Sequence, residues 1–194
     1  IFEEAGIADL PETWEEFREI GRKLTRDGRY MITLDMVSPN NLVFMFYHAL
    51  LVQQGQGMYD KDGNVLVSND KAIRAAQLIY DMVNEDKIAY TKSEIRTPGW
   101  YSAVQDGTII SIPGAAWLQY SIQTNTTGLD GKWRVMKMPA FEKGGTRAAN
   151  VGGSVLVIPS QTKSPELAWK FAEFVSLTYE GQMTMYKDSG IFPC

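Results

Sequence analysis

Apolar residues recur along this chain at two spacings, and the switches between them predict a series of short helices and strands. In "LPETWEEFREIGRKL", Trp14, Phe17, Ile20 and Leu24 share one helical face. Thr13 stands three residues before Glu16, the spacing of a capping box, so the helix is predicted to start there. "RYMITL" (29–34) reads as a buried strand, and "SPNN" (38–41) as the turn that launches the apolar run "LVFMFYHALLV". That run is too short to span a bilayer and is predicted to be a buried helix ending at "QQGQG". "YDKDGNVLVS" turns around Asp62-Gly63 as a hairpin or extended loop. Ser68 or Asn69 then caps a helix whose stripe is Ala72, Ile73, Ala76, Ile79, Tyr80 and Val83.

The second half continues the alternation. A short helix from Trp100 to Asp106 closes at Gly107, the strand "TIISIP" (108–113) follows, and a helix begins near Ala115. After the polar loop "NTTGLDGK" come two further expected strands, "WRVMKMP" (133–139) and "SVLVIP" (154–159), joined by the Gly-rich "FEKGGTRAANVGG". Ser164 and Pro165 open a final helix with Leu167, Ala168, Phe171, Phe174 and Val175 on its expected buried face. Helices and strands in this alternation predict an α/β fold.

Composition narrows the function. The 194 residues are 44% hydrophobic and 22% charged, ordinary for a globular protein with one good core or two small ones. A net charge of −4 and a pI near 5.1 argue against a nucleic-acid groove or a surface for anionic membranes. His48 and Cys194 are single residues of their kinds, so a His/Cys metal site and an internal disulfide are both excluded. No phosphate-cradling Gly-rich motif is present. "DKDGN" (60–64) has its glycine at the wrong place for a calcium loop and reads as a turn. No pair of acids stands out for glycoside hydrolysis. The chain is therefore expected to be no enzyme, and to carry no metal or cofactor. It opens at Ile1 without a Met and ends at "SGIFPC", and is expected to be a piece of a longer protein.

What the sequence does offer is aromatic residues at loop-to-helix junctions. Trp100 and Tyr101 follow Pro98-Gly99, Trp117 and Tyr120 follow Pro113-Gly114, and Phe44, Phe46 and Tyr47 follow Pro39-Asn40-Asn41. A flat ring can cover the C–H face of a sugar while amides and backbone N–H groups bond its hydroxyls. Core packing competes with this for every ring. Trp14 and Trp169 sit on helical stripes and are expected in a core, Trp133 in a core or at an edge, and His48 as a satisfied structural imidazole. Composition alone leaves Trp117 open between core and cleft.

Five segments in order resemble the bacterial extracellular solute-binding proteins of carbohydrate ABC transporters, which include the maltose-binding proteins. They are "FEEAGIADLPETWEEFREIGRKL", the helix end at "QQGQG", "YDKDGNV", "VQDGTIISIPGAAW" and "VGGSVLVIPSQTKSPELAWKFAEFVSLTYEGQ". The likeness covers essentially the whole chain, although "QGQG" stands for the family's Gly-Gly and "IISIP" lacks its Ala-Met. It implies a two-lobe, type II periplasmic-binding-protein-like fold of which this is a fragment, mainly the second lobe. Residues 1–150 would form that ligand-binding lobe, 151–154 the hinge crossing, and 155–194 a strand–helix unit that normally returns to the first lobe.

The resemblance also implies a site. Trp117 matches an aromatic on the cleft wall that stacks on sugar, and Trp100 falls where a second platform is often found. Gly152 and Gly153 match glycines whose backbone N–H groups often meet ligand. Asn41, Phe44 and Tyr47 correspond loosely to a helix start facing the cleft. The implied partners are a saccharide and the transmembrane subunits of an ABC permease, with no nucleic acid, outside the cytoplasm in the periplasm or on a lipid-anchored surface. A peptide, polyamine or organic anion in the same fold is the alternative, and a secreted glycan-active enzyme or carbohydrate-binding module is a further one. With the first lobe absent, the stripe Leu167, Phe171 and Phe174 is expected to pack on another copy or to refold onto this one.

Overall fold

The expected strand over 29–34 forms as β1 (Tyr30–Thr33), the middle strand of a parallel sheet. On one side it pairs with β2 (Ala89–Tyr90), Ile32 opposite Ala89, and on the other with β3 (Ile109–Ser111), Tyr30 opposite Ile109. Met31, Ile32 and Thr33 are all buried, the continuous pattern of a strand covered on both faces. The computed structural model describes residues 1–38, 42–150 and 152–189. They fall into two units, Ile1–Pro113 with Thr126–Val151, and Gly114–Asn125 with Gly152–Cys194. The segment Gly114–Asn125, expected within the ligand-binding lobe, is thus grouped with the second unit.

In the first unit, helix α1 (Trp14–Leu24) starts at the predicted capping box: Thr13 Oγ1 accepts from Glu16 N, and Glu16 Oε2 accepts from Thr13 N, both at 3.2 Å. Trp14, Phe17 and Leu24 are buried, and Ile20 packs beside them. The helix lies so close to β1 that a Cβ on Gly21 would come within 3.1 Å of Met31 Cβ. Helix α2 (Leu42–Gln53) buries Phe46, Ala49, Leu50 and Leu51. Helix α3 (Asp70–Tyr80) is capped by Asn69, whose Oδ1 accepts from Ala72 N at 3.0 Å.

The expected stripe on α3 is only partly right. Ala72, Ala75, Leu78 and then Met82 point inward, whereas Ile73 and Tyr80 are more than half exposed. Small alanines let this helix approach α2 closely, and the helix then widens into a π-helical turn, Asp81–Glu85. Helix α4 (Pro98–Gln105) follows Thr97 and ends before Gly107, close to the predicted bounds.

Two expected strands do not form. Over 133–139 the chain keeps the alternation of a strand, with Met136 and Met138 against the core and Val135 exposed. Ladder hydrogen bonds are replaced by side chains: Gln53 Nε2 donates to Pro139 O at 2.9 Å and Arg147 Nε to Met138 O at 3.1 Å. Only the end of the segment pairs, through Ala140 N to Glu12 O and Trp14 N to Ala140 O, both 2.8 Å. Over 154–159 no described strand lies alongside, and Val155, Leu156 and Val157 are exposed.

The described part of the second unit is helical: α5 (Trp117–Asn125), α6 (Pro165–Leu177) and α7 (Tyr179–Ser189). Helices α6 and α7 pack on each other around Thr178, whose Oγ1 accepts from Gly181 N. The face expected to be buried on α6 is not: Leu167, Phe171 and Phe174 are exposed, and so is Trp169, which was expected in a core. No element of the described residues covers them. Among the described residues no helix is long and apolar enough to cross a membrane.

An ion-pair cluster locks α1 to the π-helical turn. Asp86 accepts from Arg18 Nε and, at 2.9 Å, from Arg22 Nη1, while Arg18 also meets Asp81 at 3.2 Å. Burial alone would raise the Asp86 carboxyl, but the two guanidinium hydrogen bonds outweigh it and hold the group below the ordinary carboxylate range. A depressed folded-state value contributes stability above the unfolded value, and that contribution disappears as pH falls through the folded one. Asp86→Asn is therefore expected to destabilise the fold by roughly 1.5–3 kcal/mol at neutral pH. In urea denaturation at a series of pH values, the gap between variant and parent should close as the solution becomes more acid than ordinary carboxylates.

Candidate functional site

In open α/β sheets, ligands bind in the crevice outside the carboxyl ends of the strands. In the first unit those ends are organised by Asp35, two residues beyond β1 and only 4% exposed. One carboxylate oxygen accepts from Val37 N (3.1 Å) and Ser38 N (2.9 Å), and the other from Ile95 N (3.2 Å). The carbonyl of Asp35 accepts from Val43 N at 3.3 Å, which brings the first turn of α2 to the same place. Ser38 Oγ donates to Glu94 Oε1 at 3.0 Å, a second link between the loops that leave β1 and β2.

Around this polar knot lies apolar surface open to solvent. Met36 is 50% exposed, Val37 58% and Phe44 49%, whereas the neighbouring Phe46 is buried. Tyr47 is half-buried, and burial pushes its phenol above the ordinary tyrosine value, so it stays a neutral hydrogen-bonding group. This edge can therefore offer apolar contact with neutral and acidic hydrogen-bonding groups beside it. Of the residues expected here from the sequence, Phe44 and Tyr47 lie on this helix, and Asn41 lies outside the described residues. Asp35, Met36, Val37, Ser38 and Glu94 were not anticipated. The available signal was an acid directly following a buried strand, with a serine three residues on.

Trp100 does not provide a second stacking platform. It is completely buried, and its indole Nε1 donates to Thr33 Oγ1 on β1 at 3.2 Å. Pro98 and Gly99 fix where α4 starts, and from there the ring turns under the sheet instead of outward. It is a core residue that holds α4 against β1.

In the second unit Trp117 is the first residue of α5 and is 42% exposed, with Tyr120 on the same side one turn on. Leu118 is buried and folds back over Gly114 so closely that any side chain there would collide with it. Gly114 thus leaves room for Leu118, and the indole keeps exposed surface. Gly152 and Gly153 are exposed and both take positive φ, 83° and 148°, conformations that residues with a Cβ rarely adopt.

Glu12, Glu16 and Asp60 are committed to the fold. A depression of about 470 Å³ at the start of α1 is lined by Asp9, Glu12, Glu16 and Glu19 together with Lys143. Glu16 completes the capping box and Glu12 lies 3.6 Å from Arg147. Asp60 accepts from the backbone N–H groups of Asp62 and Asn64, which makes "DKDGN" the turn expected. Among the described residues no cluster of His, Cys, Asp and Glu is arranged to hold a metal ion.

Comparison with known proteins adds to this geometry. Residues 1–178 match the family model described as "Bacterial extracellular solute-binding protein". The arabinooligosaccharide-binding protein of Bacillus subtilis (strain 168) is 27% identical over 202 residues, covering 100% of this chain and 44% of its own length. A solute-binding protein of an ABC transporter from Thermotoga lettingae TMO, bound with α-D-tagatose, superposes with a TM-score of 0.80 at 20% identity. That match covers 99% of this chain and 49% of the other. The maltose-bound MalE3 of T. maritima gives 0.77 at 22% identity with the same coverage. These likenesses show a type II periplasmic-binding-protein fold, and the chain spans less than half the length of its B. subtilis relative.

Because Trp100 is core, Trp100→Phe is expected to lower the unfolding free energy by about 1–3 kcal/mol, from the lost bond to Thr33 and the smaller ring. Urea denaturation followed by circular dichroism would measure it; a variant as stable as the parent would place the indole outside the core.

Proposed function

Because this chain belongs to the bacterial extracellular solute-binding protein family, we propose that the protein containing it captures a sugar or oligosaccharide and delivers it to an ABC permease. The observation that carries this reading is the exposed aromatic at the start of α5. Trp117 and Tyr120, one helical turn apart, both keep exposed ring surface, the chemistry that covers the C–H face of a pyranose or furanose. Phe44, Tyr47 and the apolar edge around Met36 and Val37 are of the same character. A neutral, hydroxyl-rich solute suits such surfaces better than an ion does, because a buried charge requires a paired opposite charge.

Residues 1–150 are read as most of a ligand-binding lobe and 151–154 as the hinge crossing, beyond which 155–194 leads back to a partner lobe. The positive φ angles of Gly152 and Gly153 support that reading, since a hinge concentrates backbone rotation in a few residues. Their N–H groups, and Asn41, complete the proposed polar contacts to the sugar. The protein acts outside the cytoplasm, in the periplasm or anchored by lipid at the cell surface, and its work is binding, with no reaction on the solute. Likeness to the B. subtilis arabinooligosaccharide-binding protein makes short arabinose oligosaccharides the first ligands to try, with maltose beside them from the maltose-bound structural neighbour.

The decisive experiment is a thermal-shift screen of the full-length protein against mono- and oligosaccharides, with Trp117→Ala beside it. A sugar at a hundred times its Kd should stabilise the parent by about 2.7 kcal/mol, a shift of a few degrees, and Trp117→Ala should abolish most of it. A peptide, polyamine or organic anion that stabilises the protein where every sugar fails would keep the receptor and replace the solute. Turnover of a chromogenic glycoside would overturn the receptor reading itself.

A further inference from the structure

We infer that Asp35 is a positioning residue for the ligand-facing edge of the sheet: its buried carboxylate fixes the loops after β1 and β2 in one geometry before any ligand arrives. The inference rests on the functional reading above and adds a residue that touches no solute. Asp35 accepts backbone N–H groups from both loops, Val37 and Ser38 on one side and Ile95 on the other, while its carbonyl receives the first turn of α2 through Val43. The loop after β1, the start of α2 and, sixty residues on, the loop after β2 meet on this single residue. The turn it holds is also a strained one, because Arg96, next to Ile95, sits at φ +66°, a conformation unfavourable for a residue with a side chain. What the clamp presents to solvent is Met36, Val37 and Phe44, with the Ser38–Glu94 hydrogen bond beside them. If Asp35 released its loops, the wall would have to be ordered at the moment of binding, and affinity would fall by that ordering cost.

The test compares the full-length parent with Asp35→Asn and Asp35→Ala, using maltose and arabinotriose as probes. Asn keeps one oxygen for Val37 and Ser38 but turns an amide N–H toward the N–H of Ile95, so it should free Ile95 alone. Ala frees all three. Hydrogen exchange of the unliganded proteins should show these amides, and not those of β1, exchanging faster in that pattern. Calorimetric affinity for whichever probe the parent binds should fall about tenfold or more, further for Ala than for Asn. Equal affinity in parent and variants, or unchanged exchange at Val37, Ser38 and Ile95, overturns the inference while leaving the receptor reading intact. A parent that binds neither probe overturns the choice of maltose and arabinotriose as ligands, and the exchange at Val37, Ser38 and Ile95 then decides by itself whether Asp35 holds the loops.

Discussion

The first unit depends on burying a strand that is only four residues long. β1 supplies every hydrogen-bonded neighbour that β2 and β3 have in the sheet, and Met31, Ile32 and Thr33 are closed off from water. Parallel strands cannot be joined by a tight turn, so each pairing commits a long crossover to return in register. That is why helices α2 and α3, which lie between β1 and β2, meet in one core with this strand; α1, which precedes it, joins them, and Gly21 lets it approach closely. Beyond the carboxyl end of β1 the buried Asp35 and Ser38 flank exposed Met36 and Val37, and there the polar and exposed residues collect.

Satisfying the backbone without a wider sheet needs side chains. Gln53, buried at the end of α2, accepts from Trp14 Nε1 and donates to the carbonyls of Pro139 and Thr146. Arg147 reaches the carbonyls of Met138 and Pro11. Between them these two residues hold the irregular return segment against α1 and α2. A buried amide with its oxygen and both its donors used costs little to desolvate; one lacking a partner would cost more than the contact is worth.

Much of the first unit was legible because its signals are local. A capping box, an Asn cap, a Pro-Gly helix start and two apolar strand runs depend on residues only a few places apart, and each produced its element. What was not legible depends on partners distant in sequence. The run 133–139 alternates like a strand but finds side chains where a neighbouring strand would be. The apolar faces of 155–158 and α6 have no covering element among the described residues. Trp100 follows the same kind of Pro-Gly step as Trp117, yet one ring is fully buried and the other exposed. The buried place of the Trp100 indole depends on Thr33, sixty-seven residues away, which accepts its hydrogen bond. The family likeness carried the fold; the clamp on Asp35 was visible only when the loops after both strands were in place.

The π-helical turn at Asp81–Glu85 has a genetic consequence. Such a turn holds one residue more than α-helix of the same kind would, and it stands between a capped helix and the short strand that pairs Ala89 with Ile32. Loss of a single codon within it would restore ordinary helix. The strand would keep its register, with Ala89 opposite Ile32, and Asp86 would stay against its two arginines, because the residue lost is the one that the wide turn had absorbed. The turn is thus the place between α3 and the strand where the chain can lose a residue and keep both in position.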